Sequence, residues 1–218
     1  RRNTRLGRWS RGLGDVYKRQ VIGPDCSVGD DCRLIANVIL VRDVILGLRS
    51  ILHPGVVIGA DGFGNAMTPE GWVKVPQLGG VRIGNDVEIG ANTTVDCGAI
   101  DDTVIEDGVR IDNLCHIGHN VRIGAHSAVA GMSGISGSAT IGKRCMLAGQ
   151  SGIVGHISIC DDVVVGGKAV ISKDITEPGV YAGTFTAEPA REWNRKVARF
   201  RRLGQLIERV NKLEKGGE

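Results

Sequence analysis

A hexapeptide parallel β-helix followed by a C-terminal α-helix is the fold class this sequence predicts, and three observations predict it. An aliphatic residue recurs at every sixth position through Ile105, Ile111, Ile117, Ile123, Val129, Ile135, Ile141, Leu147, Ile153, Ile159, Val165 and Ile171. The same step runs earlier through Ile22, Val28, Leu34, Leu40, Leu46, Leu52 and Ile58. A fixed six-residue period marks short strands stacked into a solenoid. Second, the 218 residues include 33 glycines and only 4% aromatics, which suits tight turns between short strands rather than a packed globule. Third, the spacing turns helical near the end, through Trp193, Val197, Phe200, Leu203, Ile207, Val210 and Leu213, with Pro189 suited to the first turn.

Residues 1–20 carry seven Lys/Arg and one Asp, a net of +6 against +3 for the whole chain, so residues 21–218 carry −3. This opening lacks the apolar core of a secretory signal. It reads as a basic nucleic-acid arm or, preferably, as foreign or frame-shifted sequence, because the hexads begin abruptly at Val21 and Ile22. Residues 21–182 are expected to form the β-helix, with a loop over 59–82, and residues 183–218 the helical segment. Three hexads make one triangular coil, so residues eighteen apart stack at about 4.8 Å, the ordinary strand spacing.

The register breaks twice. Ile58 to Ile83 is a step of 25 that extrudes a loop containing Phe63, Trp72 and Pro76, and Val95 to Ile105 is a step of 10, an insertion at 101–104. Corner insertions in solenoids tend to carry function. Exposed aromatics need a ligand or a neighbouring subunit to pack on, so both breaks are places to look for substrate, with Asp61, Phe63 and Gln77 the loop's candidate contacts. The six cysteines point to neither metal nor disulfides. Cys26, Cys32, Cys115 and Cys145 lie four residues after a repeat aliphatic, in a small inward slot held elsewhere by Val109, Ser127, Ser133, Ala139 or Ala169. With no Cys-x-x-Cys pair, a reduced, cytosolic protein is expected. No run of about 18 apolar residues is present to span a membrane.

Among the five histidines, His53 and His126 fall at turns and are expected to face solvent. His116 and His119 lie in DNLCHIGHNVRIG, and His156 in VGHISIC. Eighteen residues beyond His119 is Gly137, and eighteen further is Gly155, beside His156. A base next to an open backbone N–H is the minimum equipment for acyl transfer: one takes the nucleophile's proton, the other stabilises the oxyanion. Two plainer readings compete. The histidines occupy a polar corner, or His116 and His119 are zinc ligands shared across a trimer, although a catalytic zinc needs three protein ligands and no third histidine falls in register. No serine elbow, phosphate loop or dinucleotide fingerprint occurs; IGADGFG opens no helix. Basic residues crowd the terminal helix (Arg191, Arg195, Lys196, Arg199, Arg201, Arg202), as a solvated face or as a dock for an acidic partner.

The segments HPGVVIGADGFG, VPQLGGVRIGNDVEIGANTTVDCGAIDDTVI, IDNLCHIGHNVRIGAHSAVAG and ITEPGVYAG resemble the UDP-3-O-(3-hydroxyacyl)glucosamine N-acyltransferases of lipid A biosynthesis, over residues 21–215. HIGHNV alone also fits the related UDP-N-acetylglucosamine O-acyltransferases; the loop after His53 and the terminal helix point to the N-acyltransferases. The resemblance implies a left-handed β-helix, a homotrimer with sites in clefts between subunits, and a cytoplasmic enzyme with room for peripheral contact with the inner membrane. The donor is a 3-hydroxyacyl chain on acyl carrier protein, the acceptor the 2-amino group of a UDP-linked 3-O-acylglucosamine, and neither cofactor nor metal is needed. His119 stands at the family's general base, Gly137 at its oxyanion-hole N–H, Asp112 and Asn113 at residues shaping the pocket, and His156 near the nucleotide-sugar phosphates. An acidic carrier turns the basic residues into a dock: Lys173, Arg195, Arg199 and Arg202. The family's N-terminal α/β domain, which holds uridine, has no counterpart in residues 1–20, so the chain reads as a fragment with weakened nucleotide affinity. The alternatives are the O-acyltransferase of the same pathway and a non-catalytic or zinc-binding β-helix trimer.

Overall fold

The computed structural model describes residues 19–215. The reading of residues 1–18 lies outside them. The chain divides into two compact units, Arg1–Gly183 and Thr184–Glu218. The first is a left-handed parallel β-helix whose strands, most only two or three residues long, stack into three sheets of 8, 7 and 8 strands, here A, B and C, visited in that order on each coil.

The eighteen-residue register holds as expected. Ile117 pairs beside Ile135, Ile135 beside Ile153 and Ile153 beside Ile171 in sheet A, with matching ladders through Ile123 and Ile141 in sheet B and Val129 and Leu147 in sheet C. These aliphatics point into the prism and, apart from the half-buried Ile171 at the end of the stack, are buried. Each buried aliphatic contributes about 1.5–3 kcal/mol. Ile135→Ala, in the middle of the stack, is expected to cost about 2–5 kcal/mol, because stacked coils above and below prevent the cavity from collapsing. A lowered urea midpoint at unchanged slope checks this.

The small slot also behaves as expected. Cys115 and Cys145 are buried there like Ser127, Ser133 and Ala139, Cys26 and Cys32 are half-buried near the first coils, and all six thiols are free. Burial pushes the thiols of Cys26, Cys32, Cys97, Cys115 and Cys145 up, so they stay protonated and inert.

Gly179–Tyr181 adds a last strand to sheet C beside Val163–Val165, sixteen residues on rather than eighteen. Two local expectations need correction. His53 does not simply face solvent, since its Nε2 lies 2.8 Å from Glu88 Oε1 in a half-exposed pair. The terminal helix is two helices, α1 (Ala190–Arg201) and α2 (Leu203–Lys215). At Arg202 the N–H is shared by the carbonyls of Arg199 and Phe200, a tightened last turn, and Gly204 follows, a weak helix former. Within this unit Phe185 packs edge-on against Trp193 at 6.1 Å, while Phe200 and the rest of the stripe stay largely exposed.

Candidate active site on one edge of the prism

Both breaks in the hexad pattern fall on the same edge, where the chain passes from sheet A to sheet B. The long loop leaves sheet A after Val57–Ala60 and enters sheet B at Val81–Ile83; the short insertion leaves after Thr94–Asp96 and enters at Thr103–Ile105. On the next coils this edge carries His119, Gly137, then Gly155 with His156. The register carried one coil further brings exposed Lys173 to the same edge.

His119 lies directly over Gly137. A Cβ at Gly137 would sit 2.5 Å from His119 Nε2 and 2.6 Å from Cε1, so only glycine leaves room for the ring. The Gly137 N–H has no acceptor among the described residues. At six equivalent corners on the other two edges the N–H is capped by a side chain: Leu48 by Asn85 (2.8 Å), Ala125 by Glu106 (2.9 Å), Gly131 by Asp112 (3.0 Å), Lys143 by Asp161 (2.8 Å), Asn85 by Asp107 (2.7 Å) and Ala91 by Asn113 (2.6 Å). Gly137 thus offers a free donor beside His119, while its carbonyl takes the N–H of His156 at 3.1 Å.

The tautomer of His119 follows from its neighbour. Asn120 Oδ1 accepts the Ala99 N–H at 2.9 Å, and its Nδ2 donates to the Asp101 carbonyl at 2.7 Å, which fixes the amide's orientation. Asn120 Oδ1 therefore faces His119 Nδ1, at 3.0 Å, as an acceptor. Nδ1 must carry the proton, leaving Nε2 as the basic nitrogen against Gly137. Ala99 lies just before the four-residue insertion and Asp101 opens it, so this turn holds the residue that orients the base.

The long loop is braced onto the same edge. Leu78 and Gly79 donate N–H to the carbonyls of Ala99 and Gly98 at 2.8 and 2.9 Å, and Gly80 donates to Asp102 at 2.7 Å. Arg42, from two coils below the insertion, donates to the carbonyls of Gln77 and Gly79 and pairs with Asp61. The Lys74 ammonium, with Arg42 beside it, holds Asp61 below the usual carboxylate range. The loop's outer half is a hairpin, Asn65–Thr68 against Gly71–Lys74. Phe63 is 90% and Trp72 69% exposed, so among the described residues these aromatics are left largely uncovered. Gln77 is only 5% exposed, and its Oε1 has no hydrogen-bond partner among the described residues. A Cβ on Gly62 would meet Gln77 Oε1 and His119 Cδ2 both at 3.0 Å, so the glycine leaves the gap that these two groups share.

Asp112 and Asn113 lie elsewhere. They are exposed on the edge between sheets C and A and cap the turn amides of Gly131 and Ala91, so the structure does not bring them to His119 within one chain. His116 Nε2 faces Asp96 Oδ2 at 3.6 Å, and its Nδ1 meets the Thr94 hydroxyl at 2.9 Å. Among the described residues no group of three or more His, Cys, Asp or Glu is arranged to hold a metal. Arg195, Arg199 and Arg202 are exposed on or beside α1, in the other unit.

On the outer face of sheet A, next to His116, runs a shallow groove of about 290 Å³. Its floor includes Gly134 and Gly152 and it ends at Val170. A Cβ on Gly134 would meet nothing within 4 Å, and one on Gly152 only Val170 Cγ2 at 3.8 Å, so neither packing nor backbone conformation demands glycine there. The two glycines keep a strip of sheet bare.

Family models for "Bacterial transferase hexapeptide (six repeats)" and "Hexapeptide repeat of succinyl-transferase" match residues 102–137 and 138–173. The chain thus carries the six-residue repeat of bacterial hexapeptide transferases. Curated relatives similar to it are named UDP-3-O-acylglucosamine N-acyltransferases. It is 49% identical to the one from Hahella chejuensis over 85% of this chain and 53% of that protein. It is 58% identical to the one from Xanthomonas axonopodis pv. citri over 81% of this chain and 52% of that protein. The chain therefore spans about half the length of the curated relatives it matches. Among solved structures, LpxA from Acinetobacter baumannii shares the fold with a TM-score of 0.68 at 22% identity, covering 76% of this chain and 63% of that one. The UDP-N-acetylglucosamine acyltransferase of Francisella novicida does so with a TM-score of 0.64 at 19% identity, over 75% and 60%.

Proposed function

We propose that this chain carries the acyl-transfer site of a UDP-3-O-acylglucosamine N-acyltransferase, moving a 3-hydroxyacyl group from acyl carrier protein to the sugar's 2-amino group in lipid A biosynthesis. The observation that supports it most is the unpaired Gly137 N–H on the glycine against which His119 Nε2 lies. The amine nitrogen attacks the thioester carbon, and the carbonyl oxygen, now an oxyanion, accepts the Gly137 N–H. His119 Nε2 takes a proton from the nitrogen and returns it to the departing thiolate, leaving an amide and a free thiol. The Asn120 oxygen on Nδ1–H steadies the imidazolium between these transfers. The glycine-floored groove on sheet A suits the acyl chain, an extended apolar ligand.

His156, Asp61, Phe63 and Gln77 border this edge and are proposed substrate contacts. In the homotrimer we propose, a neighbouring copy supplies the cover that Phe63 and Trp72 lack, and Asp112 and Asn113 would reach the cleft only from that copy. Both substrates place the reaction in the cytoplasm; no helix among the described residues is long and apolar enough to cross a membrane. The test is competition between equal amounts of UDP-3-O-acylglucosamine and its 2-hydroxy counterpart with 3-hydroxyacyl-carrier as donor. N-acylated product should dominate. Preference for the hydroxyl acceptor would favour the O-acyltransferase reading instead.

Lys173, at the end of the edge column, and Arg195 and Arg199 on α1 are proposed to dock the acidic carrier. Reversing all three charges to Glu is expected to lower kcat/KM for the carrier-bound donor about tenfold at low salt, through lost steering. A small thioester bearing the same acyl group should be used as before. Parallel loss with both donors would place these residues outside docking.

A further inference from the structure

Asp96 has no role in the acyl transfer proposed above, yet it is a largely buried carboxylate on the same edge. It is 8% exposed, and its carboxylate has no hydrogen bond among the described residues; the nearest partner, His116 Nε2, stands 3.6 Å away. A buried carboxylate without donors costs the fold free energy, so a native structure that keeps one needs a reason. The backbone bulges at Val95 and Asp96, and the register that pairs Thr94 with His116, carried two residues on, sets Asp96 opposite Gly118, next to His119. Gln77 Oε1, buried and without a partner among the described residues, faces the same small gap at Gly62 as the His119 ring. Its Nε2 is already committed to the carbonyls of Val75 and Pro76. A largely buried carboxylate with only a long contact to His116, and an orphaned amide oxygen, beside one base call for a ligand rich in N–H donors.

We propose that Asp96, with Gln77 Oε1, binds the second N–H of the acceptor amine and so sets the choice of an amine over a hydroxyl. This rests on the acyl-transfer reading above. A hydroxyl has one hydrogen, and His119 takes it. An amine has two: one goes to His119 and later to the thiolate, the other stays on the amide nitrogen throughout. While the C–N bond forms and before the proton leaves, the nitrogen is positively charged, and a carboxylate on its remaining N–H stabilises that charge. The groups facing Asp96 are His116, His119 and Asp61, and burial pushes its carboxyl up. The sign of the linkage follows: a carboxyl raised in the folded state favours the protonated form there, so ionised Asp96 lowers stability at neutral pH, and this penalty disappears as pH falls towards the unfolded value of 3.8.

The test compares wild type with Asp96→Asn. In the variant, kcat/KM for UDP-3-O-acylglucosamine should fall about 30-fold, the worth of a charge-assisted hydrogen bond, while turnover of the 2-hydroxy counterpart changes little. The melting temperature at pH 7 should hold or rise, as when a functional strain is removed. Calorimetry gives a reading independent of turnover: wild type should bind the amino sugar nucleotide more tightly than the hydroxyl form, and Asp96→Asn should lose that preference. Equal loss with both acceptors, a melting temperature lowered by more than about 4 °C, or no binding preference in the wild type overturns the proposal. If the preference holds but no N-acyl product forms, the transfer reading fails and the amine site stands. If transfer proceeds and the variant keeps its amine selectivity, the reverse is true.

Discussion

His119→Ala is expected to lower acyl transfer by about 10²–10⁴-fold, the usual share of a positioned general base, while leaving the coils stacked. The expectation of an intact fold is physical. His119 sits at a corner outside the buried ladders, and its one side-chain bond, to Asn120 Oδ1, involves an atom already bonded to the Ala99 N–H. Loss should appear in kcat rather than KM, since the interaction matters only once the proton moves. Single-turnover rates with carrier-bound donor, alongside a thermal melt, check both halves. Residual transfer near the wild-type rate would place the base elsewhere.

Gly137→Ala should do comparable harm by a different route. The new Cβ would meet Nε2, Cε1 and Cδ2 of His119 at 2.5, 2.6 and 2.9 Å, closer than real contacts allow. The glycine does not occupy the left-handed region, so the backbone tolerates alanine and the histidine ring must give way. Swinging the ring breaks its bond to Asn120 and moves Nε2 off the reacting nitrogen; a displacement of about 1 Å costs about 10²-fold. The strain is separable from the catalytic loss. In the His119→Ala background the clash is gone, so adding Gly137→Ala should leave the melting temperature where His119→Ala put it, a non-additivity confined to residues in contact. Equal destabilisation in both backgrounds would mean that the glycine serves the fold alone.

How much of this could be read from the residues depends on where the six-residue beat survives. Where it is unbroken, from Ile105 to Ile171, simple counting sets His119 against Gly137 and sends the small cysteines inward, because parallel stacking converts sequence distance into height. Where it breaks, counting fails. Asp96 follows the last aliphatic before the short insertion, and its alignment with Gly118 emerges only once the step is taken as 22 rather than 18. Arg42 acts across a stack in which Leu40 to Ile58 is a step of 18 but Ile58 to Val95 is one of 37. Asn120 was hidden for another reason: its role depends on a side-chain amide fixed by two backbone groups at the start of an insertion, those of Ala99 and Asp101. Asp112 and Asn113 rest on resemblance alone, and their spacing from His119 already places them on the preceding corner. The helix break at Arg202 escapes a stripe analysis because the apolar spacing continues across it.

The most direct measurement is a structure of the chain with its N-acylated product bound. Transfer at this edge predicts the amide oxygen 2.7–3.1 Å from the Gly137 nitrogen, the amide nitrogen beside His119 Nε2, and the acyl chain along the bare strip of Gly134 and Gly152. Product seated on another edge of the prism, or on this one with Gly137 N–H still unpaired, would contradict it.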